Sequence, residues 1–193
     1  MLPTRHPVVL HIPHASTRIP PEDRAAIALG DAALARELVR MTDAYTDELF
    51  ALGPSVARVA FPVSRLVVDP ERFEDDNLEP MAARGMGAIY TATSQGTTLR
   101  APPGRRTREK ILNRFYRPHH ATLTAAVDAA LERHGHCLVI DGHSFPSTPL
   151  PYEFDQSTDR PEICIGTDPF HTPEQLAREF EDGFRQAGLS DLP

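Results

Sequence analysis

Two short apolar runs that each end in a histidine limit the fold of this chain more than any other feature. Leu138-Val139-Ile140 is apolar and mostly β-branched, and Asp141-Gly142 closes it with a turn, after which His143 and Ser144 follow at once. Val8-Val9-Leu10-His11-Ile12 has the same form and leaves through Pro13-His14-Ala15-Ser16. Such runs read as buried strands. A helical pattern over 107–134, closed by Gly135, leads directly into the later run, and a helix feeding a strand is half of a crossover unit. In open α/β sheets the ligand lies outside the carboxyl ends of the strands. His14 and His143 both occupy such ends, so an α/β fold would let them converge.

The remaining pattern fits one α/β domain over residues 1–193, with no internal repeat and no linker. Pro20-Pro21-Glu22-Asp23 opens a helix that Gly30 ends. A second helix is expected over about 32–51, with Leu34, Leu38, Met41, Tyr45, Leu49 and Leu52 along its apolar stripe. Asp43 and Asp47 would then share one helix face. Residues 55–61 read as a strand, 65–69 as another apolar run, and 89–91 as a short strand inside a long irregular stretch. The arginine-rich segment 100–108 reads as an exposed loop. In the long helix, Ile111, Phe115, His119, Leu123, Val127 and Leu131 form the apolar stripe, and Pro118 kinks it. A strand over 162–166 and a helix over 173–187 close the pattern, and the last four residues form no element.

Composition excludes some function classes. The net charge of −7 argues against nucleic acid as a partner. No stretch approaches 18 apolar residues, so no membrane span is expected. The N-terminus lacks the apolar core of a secretion signal, which makes the cytoplasm the expected compartment. Cys137 and Cys164 both lie in apolar runs and read as buried reduced thiols.

His14 and His143 carry the chemistry. Imidazole is a common zinc ligand, and catalytic zinc takes three protein ligands and leaves a position open. No HExxH or CxxC is present, so spacing alone leaves each histidine either a metal ligand or a polar strand-end residue bonded to backbone. Asp43 and Asp47 read either as a third ligand with its supporter or as a solvated helix face. Arg65 and Arg72, around Asp69 and Glu71, offer guanidinium forks for carboxylates or pair with the neighbouring acids. Ser16 and Ser144 follow histidines without a GxSxG elbow, so capping or a place beside the ligands ranks above a nucleophile. His119 falls on the apolar stripe and reads as a satisfied core histidine.

The blocks HIPHASTRIP, TDAYTDELF, RLVVDPERF, GMGAIYT, CLVIDGHSFPSTPLP and RPEICIGTD resemble, in this order and from about residue 8 to the final helix, the N-formylglutamate amidohydrolase family. That family is similar in fold to the zinc carboxypeptidases and to the aspartoacylase and succinylglutamate desuccinylase group. The resemblance implies a three-layer α/β/α fold of the zinc-exopeptidase kind, with a mixed, mostly parallel sheet. It implies one zinc ion, or another divalent metal, at the strand ends, and hydrolysis of N-formyl-L-glutamate in histidine degradation, or of a related N-acyl amino acid. His14 and His143 match the metal histidines. The carboxypeptidase group has a glutamate ligand three residues after the first histidine, and here that position is Thr17, so Asp43 is the expected carboxylate ligand and Asp47 the alternative. Arg65 and Arg72 become candidates for gripping the substrate's carboxylates, Arg65 also for polarising its carbonyl, with Ser144 beside them. Family members continue into a further strand carrying a glutamate, and no such segment occurs here. Glu153 and Asp168 stand in as the general base. The same departure motivates an alternative, a protein that binds N-acyl amino acids without turnover. A serine hydrolase using Ser144 is the remaining alternative.

Overall fold

The computed structural model describes residues 7–53 and 56–189. By its contacts the chain divides into two compact units. The larger comprises Arg5–Phe145 and Leu150–Tyr152, and the smaller includes Pro146–Pro149 and Glu153–Pro193.

The larger unit is built on three parallel strands in the order β2-β1-β3: β1 (Val8–Ile12), β2 (Ala57–Ala60) and β3 (Leu138–Asp141). Among the described residues the expected mixed sheet is thus entirely parallel. β1 is central because it is apolar on both faces, with Val9, Leu10 and Ile12 at most 2% exposed. β3 is less buried than its composition suggests. Among the described residues it pairs only with β1, and Val139 is 45% exposed. In register, His11 lies opposite Asp141, so the C-terminal ends of β1 and β3 adjoin. Gly142 is needed just beyond, where a Cβ would stand 2.7 Å from Ile12 and 2.9 Å from Phe50.

Helix α1 (Pro21–Arg24) is a single turn, shorter than its signals suggest. The expected helix over 32–51 divides into α2 (Asp31–Met41) and α3 (Thr46–Leu49). Thr42 is extended and Tyr45 takes φ +63°, a left-handed conformation uncommon outside glycine. The stripe through Leu34 and Met41 is buried, whereas Tyr45 and Leu49 are each 70% exposed. Tertiary contact overrides periodicity here, because the Asp43 amide donates to the carbonyl of His14 and draws the chain out of the helix. Asp43 and Asp47 therefore share no helix face; Asp43 is buried and Asp47 exposed.

Between β2 and the long helix the chain packs without regular structure beyond a 3-10 turn at Pro80–Arg84. Neither 65–69 nor 89–91 is a strand, yet both are core. Leu66, Val67, Val68 and Tyr90 are fully buried. The expected exposed loop 100–108 is confined to 101–104. Arg100 is buried and donates to the Leu66 carbonyl, while Arg105–Ile111 forms helix α4. Just before Pro118 the long helix passes through a π turn, Leu112–Tyr116, between α4 and α5 (Arg117–His134). Burial along the stripe fades past His119, and Leu131 is exposed.

In the smaller unit, α6 (Glu174–Gln186) matches its helix signals. The strand expected at 162–166 does not form, and Cys164 is exposed rather than buried. The final four residues lie outside the described ones. Among the described residues no helix is long and apolar enough to cross a membrane.

Candidate active site

Three chain exits meet beyond the sheet. Two follow from strand order, since β1 delivers His14 and β3 delivers His143. The third is the break after α2, which delivers Asp43. The imidazoles of His14 and His143 lie 5.3 Å apart between centroids. Asp43 Oδ2 accepts from His143 Nδ1 at 2.9 Å and stands 3.7 Å from His14 Nδ1. The backbone N–H of Ser144 donates to the same oxygen.

A buried carboxylate fixes His14 from behind. Asp69 is inaccessible to solvent and accepts from His14 Nε2 at 2.9 Å. It also accepts from Arg65 Nη2 at 2.7 Å and Nε at 3.0 Å, from the Glu71 N–H at 2.9 Å, and from the Tyr90 hydroxyl. A carboxylate only accepts, so the neutral His14 ring carries its proton on Nε2. Its Nδ1, which the neutral ring would leave as a lone pair, is buried and without a hydrogen-bond partner.

On the far edge of the two rings stands Glu71. Its Oε1 accepts from His143 Nε2 at 3.1 Å, and its Oε2 lies 3.4 Å from His14 Nε2. The rings thus turn Nδ1 toward Asp43 and Nε2 toward Glu71. One donor atom from each of His14, Glu71 and His143 falls within 4.8 Å of the others, and the same holds for His11, Glu71 and Asp141. Hydrogen bonds already engage both ring nitrogens of His11 and the Nε2 of His14. His14 Nδ1, which faces Asp43, has no hydrogen-bond partner, whereas both ring nitrogens of His143 are bonded, to Asp43 and to Glu71.

The electrostatics favour a cation. Four carboxyl groups (Asp43, Asp69, Glu71 and Asp141) face the imidazoles, against the two guanidinium groups of Arg65 and Arg72. Burial opposes charge on His143, but hydrogen bonds to Asp141, Asp43 and Glu71 push its pKa up to about 12. Burial likewise opposes ionisation of Asp43, yet the two imidazoles hold it well below the usual carboxylate range. Asp69 is held low against complete burial, chiefly by Arg65 and His14.

The other sequence candidates separate. Arg65 is largely enclosed, and its guanidinium donates to Asp69 and Tyr90, so it braces Asp69. Arg72 is less enclosed. Its Nε lies 3.8 Å from Asp69 Oδ2 without a hydrogen-bond partner, and Nη1 lies 3.9 Å from Glu79. Ser144 Oγ donates to the Ala44 carbonyl, and Asp43 holds the adjacent imidazole's Nδ1, so no base faces this serine. Glu153 belongs to the smaller unit and pairs there with Arg160, and Asp168 in that unit pairs with His171. Sequence reasoning did not single out Asp69, Glu71 or Asp141. The signal for Asp141 was strand register with His11, and for the other two the acids flanking Pro70 after an apolar run.

The family model for N-formylglutamate amidohydrolase matches residues 6–191. The N-formylglutamate deformylase of Pseudomonas putida is 34% identical over 172 residues, which cover 84% of this chain. The chain spans 60% of that relative's length. The crystal structure of N-formylglutamate amidohydrolase from Ralstonia eutropha JMP134 superimposes with a TM-score of 0.81 at 24% identity, over all of this chain and 73% of that one. A gene product of Agrobacterium tumefaciens superimposes with a TM-score of 0.71 at 22% identity, over 97% of this chain and 68% of that one.

Proposed function

The chain belongs to the N-formylglutamate amidohydrolase family, and from that premise we propose that it hydrolyses the amide bond of N-formyl-L-glutamate or a related N-acyl amino acid, releasing formate or the corresponding acid. The observation that carries this reading is the buried, unpartnered Nδ1 of His14 facing Asp43 beside His143. Two imidazoles and a carboxylate are the donor set of a catalytic zinc. In this reading His14, Asp43 and His143 would hold one zinc ion, which when bound would supply Lewis acidity for an amide carbonyl and would lower the pKa of water to about 7. The parallel order β2-β1-β3, with the site at its C-terminal ends, supports the three-layer zinc-exopeptidase reading of the fold.

The remaining roles belong to the chain's own side chains. Asp69 fixes the His14 tautomer, as carboxylates do behind metal-binding histidines. Glu71 is 25% exposed and adjoins both rings, which suits it to take a proton from water and return it to the departing amine. Arg72 lies beside Asp69 and has an Nε–H without a hydrogen-bond partner, which suits it to a substrate carboxylate. Metal content of the purified protein, with formate release from N-formyl-L-glutamate, tests the reading. Binding without formate release would favour the non-catalytic alternative.

Two expected results follow from these roles. Arg72→Ala should raise KM for N-formyl-L-glutamate at least ~10-fold while changing kcat less, since a bond made equally in ground and transition states affects KM alone. An unchanged KM would remove Arg72 from the substrate site. Zinc loading should also depend on pH. His143 must surrender a proton held to about 12, and the His14 pKa is raised as well, so apparent affinity should rise by at least about tenfold per pH unit between roughly pH 6 and 8. Zinc titrations at three pH values check this, and a flat profile would exclude His143 as a ligand.

A further inference from the structure

Behind the site, His11 is 5% exposed and uses both ring nitrogens within the protein. Its Nδ1 lies 2.9 Å from Asp141 Oδ1, and its Nε2 lies 2.8 Å from Nε2 of His119, which is 6% exposed. The Phe61 ring meets His119 edge-on at 4.9 Å. Asp141 Oδ1 in turn lies 3.5 Å from His143 Nε2. These contacts form one line, His119–His11–Asp141–His143, reaching from α5 through the central strand to the site.

Hydrogen-bond chemistry sets the direction of this line. Ionised Asp141 accepts only, so His11 must carry a proton on Nδ1. A neutral His11 then has a lone pair on Nε2, and the short contact to His119 requires His119 to donate from its own Nε2. Neutrality of His119 agrees with its surroundings, because burial and the neighbouring His11 and His120 push its pKa down to about 4. The π turn at Leu112–Tyr116 immediately precedes this part of α5. His120 donates from Nε2 to the Pro70 carbonyl at 2.9 Å, so adjacent histidines of one helix brace both the Glu71 loop and the strand-end pair.

We propose that His119 and His11 are positioning residues, with His119 fixing a single tautomer of His11 that aims Nδ1–H at Asp141 and so holds the Asp141 carboxylate beside the His143 ring. The inference deepens the hydrolase reading and rests on it for the role of His143. It extends the brace behind the site from one histidine, His14, to both. The two braces differ in kind. Asp69 acts on His14 directly, whereas His119 acts on His143 through two intervening side chains.

The test needs a readout independent of metal loading. Long-range 1H–15N correlation spectra of 15N-histidine-labelled protein, recorded on the metal-free full chain, report each tautomer. The expected result is Nδ1–H alone for His11 and Nε2–H alone for His119. His119→Phe keeps a ring but no donor, and His11 should then populate both tautomers. His119→Gln returns an amide donor near the Nε2 position and should restore the single one. In the loaded protein, His119→Phe should lower kcat ~10-fold with KM within about 2-fold, and His119→Gln should recover to within about 3-fold of the unaltered protein, a loss in the range seen for groups behind metal ligands. A doubly protonated His11, an unaltered His11 tautomer in His119→Phe, or equal impairment of both variants would overturn the proposal. If the unaltered protein releases no formate, the hydrolase reading fails and the spectra still decide the tautomer.

Discussion

His143→Ala should lower formate release from N-formyl-L-glutamate by roughly 10³-fold or more and abolish zinc retention, because it removes one of three ligands from a site whose rate depends on Lewis acidity. A loss of that size is about 4 kcal/mol of transition-state stabilisation. The melting temperature should fall as well, because the protonated His143 ring faces Asp43, Glu71 and Asp141, and its removal leaves these carboxylates without that counter-charge. Two carboxylate variants make the prediction sharper. Asp43 faces the Nδ1 edges and Glu71 the Nε2 edges of the same two rings. Asp43→Asn should therefore lose zinc together with activity. Glu71→Gln should retain zinc and lose turnover, as expected for a proton carrier. The opposite pattern, with zinc lost in Glu71→Gln and kept in Asp43→Asn, would move the cradle to the Nε2 side. A His143→Ala protein with full zinc and an unchanged rate would end the metal reading.

What could be read from the sequence divides along a physical line. Short-range signals carried β1, β3 and α6, because apolar runs, turn dipeptides and helix starts depend on near neighbours. The convergence of His14 with His143 follows from placing two strand ends side by side. The break between α2 and α3 was not legible. Its cause is the bond from the Asp43 amide to the His14 carbonyl, which no helical period encodes. That break turns Asp43 inward and leaves Tyr45 and Leu49 in solvent, against their apolar spacing. The partner of Arg65 was left open for a related reason. A guanidinium near two acids can face a substrate or pair with either acid, and in the structure its Nη2 is bonded to Asp69. Residues 65–69 and 89–91 have strand-like composition but pack as irregular core, since apolarity specifies burial without specifying a ladder.

Asp69→Asn is the variant expected to cost the fold most. Every neighbour of this carboxylate is a donor. His14 Nε2 and the Glu71 N–H meet Oδ1, while Arg65 and the Tyr90 hydroxyl meet Oδ2. An asparagine must turn its NH₂ toward one of these sets, so donor meets donor whichever way it points. The Arg65 guanidinium also loses its counter-charge in a site where its side chain is only 11% exposed. Breaking a buried pair by neutralising one partner costs about 3–5 kcal/mol. For a chain of this length that corresponds to a fall in melting temperature of roughly 10 °C or more. The sign of the pH dependence separates this charge effect from a packing defect. Asp69 titrates below its unfolded value, so its contribution is fully present above the ordinary carboxylate pKa and is lost as pH falls through the lowered one. The stability difference between the unaltered protein and Asp69→Asn should then be constant near neutrality and shrink only in strong acid. Asp47→Asn, at an exposed position, should stay within about 0.5 kcal/mol throughout. A difference independent of pH down to acid unfolding would assign the loss to shape. No difference at all would mean that Asp69 does not hold Arg65 and His14 in place.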